Sequence, residues 1–245
     1  MRFIKKFEPL IKFILTLLLF FYSSLIQFLP LAIMAFFDKD FSINLNDPNI
    51  VYALQIFSNS VLAFLLFLMY KDDLIKEFKT FKKNFWDISD KAIKYWILGL
   101  IVMAVSNILI SKFTPVQISN NEQGVREIIT GAPILAFLLT TVLAPFTEEI
   151  IFRKSFRTII NEKIPYILIS GFIFGALHVV ADITSIYDYL FLIPYCALGI
   201  SFSYINYETK NIFSTILVHT LHNGILTMFS IIGTGMILWE NQELN

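Results

Sequence analysis

The sequence predicts an all-α protein, a polytopic transmembrane bundle of about seven helices (six to eight) forming a single membrane domain over residues 1–245. Three observations lead there. Hydrophobic residues make up 56% of the chain, with 26 phenylalanines, and mean hydropathy is +0.69. Several apolar runs approach or exceed the ~20 residues needed to cross a bilayer. Lys and Arg are crowded into alternate connections between those runs, as expected of a multi-pass protein with a cytoplasmic N-terminus.

Arg2, Lys5, Lys6 and Lys12 accompany the first apolar run, Ile11–Phe37. The run far exceeds the h-region of a signal peptide and lacks an Ala-x-Ala exit, so it is expected to be a membrane helix bent near Pro30. Asp38–Asn49 is polar, and a second helix is expected over Ile50–Tyr70. In 71–94, Leu74, Phe78, Phe81 and Phe85 alternate with Lys76, Lys79, Lys82 and Lys83. That pattern predicts a basic amphipathic segment suited to an anionic membrane surface.

A third helix is expected over Tyr95–Ile110, followed by a polar connection, Ser111–Thr130. The fourth runs from Gly131 to about Ile160. Asn161–Pro165 breaks the chain before the fifth, and the sixth covers Tyr187–Ile205. The last apolar span, Ile212–Trp239, contains Gly224, Gly233 and Gly235 and can be one tilted helix or a broken pair. One helix gives seven spans, the preferred count.

The formal net charge is zero, so bulk charge points to no nucleic-acid partner. The single cysteine, Cys196, excludes an intramolecular disulfide and a cysteine-based metal cluster. The partner that composition implies is the lipid bilayer.

The fourth helix carries Thr147-Glu148-Glu149-Ile150-Ile151-Phe152-Arg153 after an apolar run. A charged group at membrane depth costs at least ~2.5 kcal/mol and marks a functional site by default. Adjacent residues on a helix point about 100° apart, so the two carboxylates cannot share a face. Arg153 follows Glu149 by four residues and is its natural partner. Glu148 is then free for chemistry. Pro145 removes the amide that would serve the Thr141 carbonyl, which predicts a bend just before the acids.

All three histidines lie within or at the edge of membrane spans. Glu148 precedes Asn161 by thirteen residues, and His178 follows Pro165 by thirteen. Both therefore stand about 20 Å from the same turn, level in an antiparallel hairpin. Gly171 and Gly175 form a face that admits another helix closely. His219 and Asn223 share a face of the last helix. A carboxylate beside imidazoles can hold a water as general base, and Asn can donate to an oxyanion. The same donors, Glu148, His178 and His219, could instead ligate zinc with a position left for water.

Glu148-Glu149-x-x-x-Arg153, Phe174-x-x-x-His178 and His219-x-x-x-Asn223 resemble, in order, the three motifs of the CAAX-protease and bacteriocin-processing (CPBP) family of intramembrane proteases. The resemblance covers a core at 131–232. It implies a helical membrane fold, peptide-bond hydrolysis within the bilayer, and Glu148, His178, His219 and Asn223 as catalytic residues, supported by Glu149 and Arg153. Members have been described both as metalloproteases and as metal-free glutamate enzymes. The metal-free form is preferred here, because no His-Glu-x-x-His motif is present and a zinc site would need three helices placed accurately. His222 lies outside the shared pattern and is expected to be neutral packing. Bacteriocin or signalling-peptide maturation, or self-immunity, are the roles implied. A non-catalytic scaffold or immunity protein binding a peptide or sensor kinase is the alternative, and a proton-coupled transporter is a third.

Overall fold

The computed structural model describes residues 2–243, with side chains over 7–233. Nine helices and no strand are found among the described residues. Seven helical segments are long and apolar enough to cross a membrane.

Helix α1 (Arg2–Ile26) ends before Gln27, and α2 (Leu29–Phe37) starts again after a two-residue turn. The single helix expected over 11–37 is therefore broken at 27–28, not bent at Pro30. Pro30 sits in the first turn of α2, where a missing amide leaves nothing unsatisfied. Helix α3 (Pro48–Lys83) is started by Pro48 and by the Asp47 carboxylate, which accepts from the Asn49 amide at 2.9 Å. Its 36 residues would span about 54 Å, well beyond a ~30 Å hydrocarbon core. Asn84 alone separates it from α4 (Phe85–Phe113).

The basic stretch 71–94 is thus the adjoining ends of two long helices. Leu74 and Phe81 are buried while Phe78 and Phe85 are exposed, and the Phe78 and Phe81 rings pack on Phe213. Every second member of the apolar stripe turns into the bundle.

A short helix, α5 (Asn120–Gly131), occupies what the sequence read as a polar connection. The Ser119 hydroxyl caps it by accepting from the Glu122 amide at 3.1 Å, and Arg126 pairs with Glu122 at 2.9 Å one turn on. Helix α6 (Pro133–Ile159) carries π turns at Leu139–Leu143 and Ile150–Ser155. Helix α7 (Lys163–Val180) follows, then a 3-10 turn (Ile186–Phe191) leading into α8 (Leu192–Thr209). Helix α9 (Ile212–Glu243) is continuous through Gly224 and Gly233, so the last span is one helix.

The Gly171/Gly175 face meets α8. A methyl group on Gly171 would lie 2.6 Å from the Ile200 amide nitrogen, and one on Gly175 2.5 Å from that of Cys196. Gly199 of α8 answers from the other side, where an added methyl group would lie 2.2 Å from the Gly171 carbonyl oxygen. Two backbones in contact make α7 and α8 a stiff pair. The main core lies at the Lys- and Arg-rich end, where Leu66, Tyr70 and Leu74 of α3 pack with Ile150, Phe152 and Phe156 of α6 and Tyr166 of α7.

Candidate active site

The site begins with a fault in the hydrogen-bonding of α6. In the first π turn the Ala144 amide bonds to the Leu139 carbonyl, five residues back. In that register the next carbonyl, Thr140, would be served by residue 145, which is Pro145 and has no N–H. Asn223 of α9 supplies the missing donor, its Nδ2 bonding to the Thr140 carbonyl at 2.9 Å. The carbonyl freed by Pro145 is therefore Thr140's; the sequence reading had assigned it to Thr141. This bond, with the Thr140–Thr227 hydroxyl contact at 3.1 Å, fastens α6 to α9 one turn or two from the acids.

Glu149 is fully buried and shared by two partners. Arg153 Nε lies 3.2 Å from one carboxylate oxygen, an ion-pair contact without hydrogen-bond alignment. His219 Nδ1 donates to the other oxygen at 2.9 Å. The Arg153 guanidinium, also fully buried, stacks 4.4 Å from the Phe174 ring centroid. The i,i+4 pairing expected of Glu149 and Arg153 is present. The bond to His219 was not foreseen.

Glu148 points the other way, toward both histidines. Its Oε2 is 4.0 Å from His178 Nε2 and 3.7 Å from His219 Nε2, and that buried oxygen has no hydrogen-bond partner. His178 Nδ1 contacts the Phe174 carbonyl at 2.8 Å; a carbonyl only accepts, so this nitrogen carries the proton. With the Nδ1 proton of each ring committed, both Nε2 atoms face Glu148 as acceptors in the neutral form. The levels inferred for Glu148 and His178 do coincide.

The height of α9 is set at its start. The Glu77 carboxylate of α3 accepts from the Ile212 amide at 2.6 Å and ion-pairs with Lys154 of α6, while Asn211 Nδ2 bonds to the Glu77 carbonyl at 2.8 Å. His219 follows two turns later.

Glu148, His178, His219, His222 and Asn223 line one cavity of about 190 Å³. His222 is buried there edge-on to Trp96, with 6.4 Å between ring centroids. Sequence reasoning missed two further contributors. Tyr195 of α8 stacks on His178, 5.4 Å between centroids at 19°, and its hydroxyl contacts Ser119 and Asn121 of the α5 end. Helix α5 itself covers the cavity with Asn121, Glu122, Val125 and Ile129. Its Ser-x-x-Glu start, Ser119 to Glu122, is a helix signature visible in the sequence.

Glu148, His178 and His219 are zinc-like donors in kind, each imidazole braced through Nδ1. Their 3.7 and 4.0 Å separations exceed the roughly 3.3 Å of ligands around a tetrahedral ion at about 2.0 Å. As they stand they do not close on one ion, and among the described residues no trio of His, Cys, Asp or Glu does so.

Residues 130–225 match the family model of the Type II CAAX prenyl endopeptidase Rce1-like proteins. The chain is 29% identical over 116 residues to the putative membrane peptidase YdiL of Bacillus subtilis (strain 168), covering 46% of this chain and 44% of that protein. It is 25% identical over 148 residues to the membrane-embedded CAAX protease MroQ of Staphylococcus aureus (strain USA300), 58% of each. A UPF0177 protein, YxdF of Lactococcus lactis, is 24% identical over 145 residues. The chain spans about half the length of the first two relatives. No solved structure gives a significant match.

Proposed function

We propose, from the match of residues 130–225 to the Rce1-like CAAX-protease family model and from the geometry of the site, that the chain is an intramembrane endopeptidase cleaving a peptide or small membrane protein. The observation that carries the reading is the convergence of two imidazole Nε2 atoms on the unpartnered Glu148 Oε2 from three different helices. Acceptors 4.0 Å apart cannot bond to each other, but one water can donate a proton to Glu148 and the other to His178. Glu148 takes the first proton as the water oxygen attacks the scissile carbonyl carbon. The oxyanion that forms accepts from the second Nδ2 proton of Asn223 and from His219. For that role His219 acts as an imidazolium, its Nδ1–H on Glu149 and its Nε2–H toward the oxyanion. Glu148 then passes its proton to the departing amine.

We propose a cell-membrane location with the N-terminus cytoplasmic. All but Lys39, Lys112 and Arg126 of the 19 Lys and Arg residues fall at one end of the bundle, the end that faces the cytoplasm by the positive-inside rule. The substrate class is a small peptide, consistent with signalling-peptide or bacteriocin maturation.

The test is cleavage of candidate peptides by purified protein in detergent, read by mass spectrometry, with Glu148→Gln as control and with and without a strong chelator. Cleavage lost in Glu148→Gln and retained with chelator is expected. Chelator inhibition reversed by stoichiometric zinc would move Glu148, His178 and His219 to a metal-binding role.

A further inference from the structure

The cavity has a closed end and a covered end, and the two lie on opposite sides of the bundle. Toward the basic end, Glu148 is followed along α6 by Glu149, Ile150, Ile151, Phe152 and Arg153, then Ser155 and Phe156, all buried. With fully buried Tyr166 and Ile212 they form a solid floor. From that floor the cavity runs the other way. Along α9 it is lined by His219, His222, Asn223, Leu226, Thr227 and Ser230, successively farther from the Asn211 turn. On α7 it uses Phe174 and His178, near that helix's far end at Val180.

Among the described residues, α5 closes the far side; its 12 residues span about 18 Å. Helix α5 lies across the bundle between two fixed points. At its start Asn120 Nδ2 bonds to the Asp182 carbonyl and lies 3.3 Å from Asp188 Oδ2. Asp188 also accepts from the Thr184 and Ser185 amides at 2.8 and 2.7 Å. At its end Gly131 abuts Pro48, the first residue of α3. All these partners lie in or beside the connections on the Lys- and Arg-poor side. Asn121 and Glu122 mark the mouth beneath α5, and Val125 and Ile129 present an apolar inner face.

Resting on the peptidase reading, we propose that the site takes its substrate from the non-cytoplasmic face. The substrate is an extended peptide segment exposed at the outer membrane surface, entering beneath α5 with apolar side chains against Val125 and Ile129. A peptide confined to the cytoplasm would meet the packed floor instead. The active site is thereby assigned to exported or outward-facing peptides.

The experiment uses the full chain in the cytoplasmic membrane of bacterial cells, in a Cys196→Ala background. Single cysteines are introduced by Gln123→Cys on the outer face of α5, Val125→Cys in the cavity and Lys79→Cys at the basic end. A membrane-impermeant maleimide added to intact cells should label the first two and spare Lys79→Cys until the cells are permeabilised. A cleavable peptide fused to a membrane anchor so that it faces either side should be cut at least tenfold faster when it faces outward. Labelling of Lys79→Cys in intact cells with the α5 positions protected, or faster cutting of the inward-facing peptide, would overturn the proposal. If purified protein still cleaved peptides in detergent in that case, the peptidase reading would survive. Absence of cleavage in both settings would overturn the peptidase reading and the substrate assignment with it.

Discussion

His219 donates its Nδ1 proton to the fully buried Glu149 at 2.9 Å, across 70 residues of sequence. Glu149 therefore joins two functions, neutralising Arg153 and fixing which nitrogen His219 presents to the cavity. Glu149→Gln should keep a hydrogen-bond acceptor for His219 while leaving the Arg153 charge uncompensated. We expect a stability loss of about 3–5 kcal/mol together with reduced turnover. Arg153→Met added to it should recover part of the stability. Thermal unfolding in detergent of both variants measures this; a fully stable, inactive Glu149→Gln would assign Glu149 directly to the chemistry.

Glu148→Gln should behave in the opposite way. The Oε2 atom it alters holds no partner, so its midpoint of unfolding should match the parent. Peptide cleavage should fall by a factor of about 10²–10⁴, the usual contribution of a general base. Near-normal turnover would remove Glu148 from that role.

Asn223 and Pro145 are linked through the Thr140 carbonyl. Asn223→Ala should cost about 1–3 kcal/mol by orphaning that oxygen and about 10²–10³ in rate by removing an oxyanion donor. Pro145→Ala returns an amide at the position that can serve Thr140 in the π register. In that background Asn223→Ala should lose little stability but the same factor in rate. Equal stability losses in both backgrounds would show that the two residues do not share the carbonyl.

Helix contact gives a contrasting pair of glycine substitutions. Gly199→Ala puts a methyl group 2.2 Å from the Gly171 carbonyl oxygen, backbone that cannot move aside alone. A loss of about 1–3 kcal/mol is expected, with slower cleavage as α7 shifts and carries His178 with it. Gly124→Ala on α5 meets nothing within 4 Å and should gain about 0.5–1 kcal/mol. Denaturation of both variants against the parent tests the close approach of α7 and α8.

The spans were legible because their apolar length is set by the bilayer, and the Glu149–Arg153 pair because i,i+4 spacing alone defines it. Glu148 and His178 could be levelled by counting from a shared turn. The Glu149–His219 bond was not legible, since it depends on how α6 and α9 are rotated about their axes, and spacing within one helix carries no such information. Helix α5 was read as a connection because it opens on the polar run Asn120–Gln123, while its apolar residues are only Val125, Ile128 and Ile129. The break at 27–28 was misplaced by giving Pro30 the role of a kink, when a proline in a helix's first turn more readily marks a beginning.

The two π turns of α6 also bear on how the length of this segment can vary among relatives. Each π turn accommodates one residue more than an α-helix needs to cover the same rise. Removing a residue from 139–143 or 150–155 would return that turn to regular winding with the rest of the helix near its place. A gap elsewhere in 133–148 would swing Glu148 about 100° around the axis, away from both histidines. Single-residue gaps in aligned functional homologues should accordingly gather at 139–143, while the stretch from there to Arg153 should keep a fixed length, because a gap at 150–152 would also break the Glu149–Arg153 spacing.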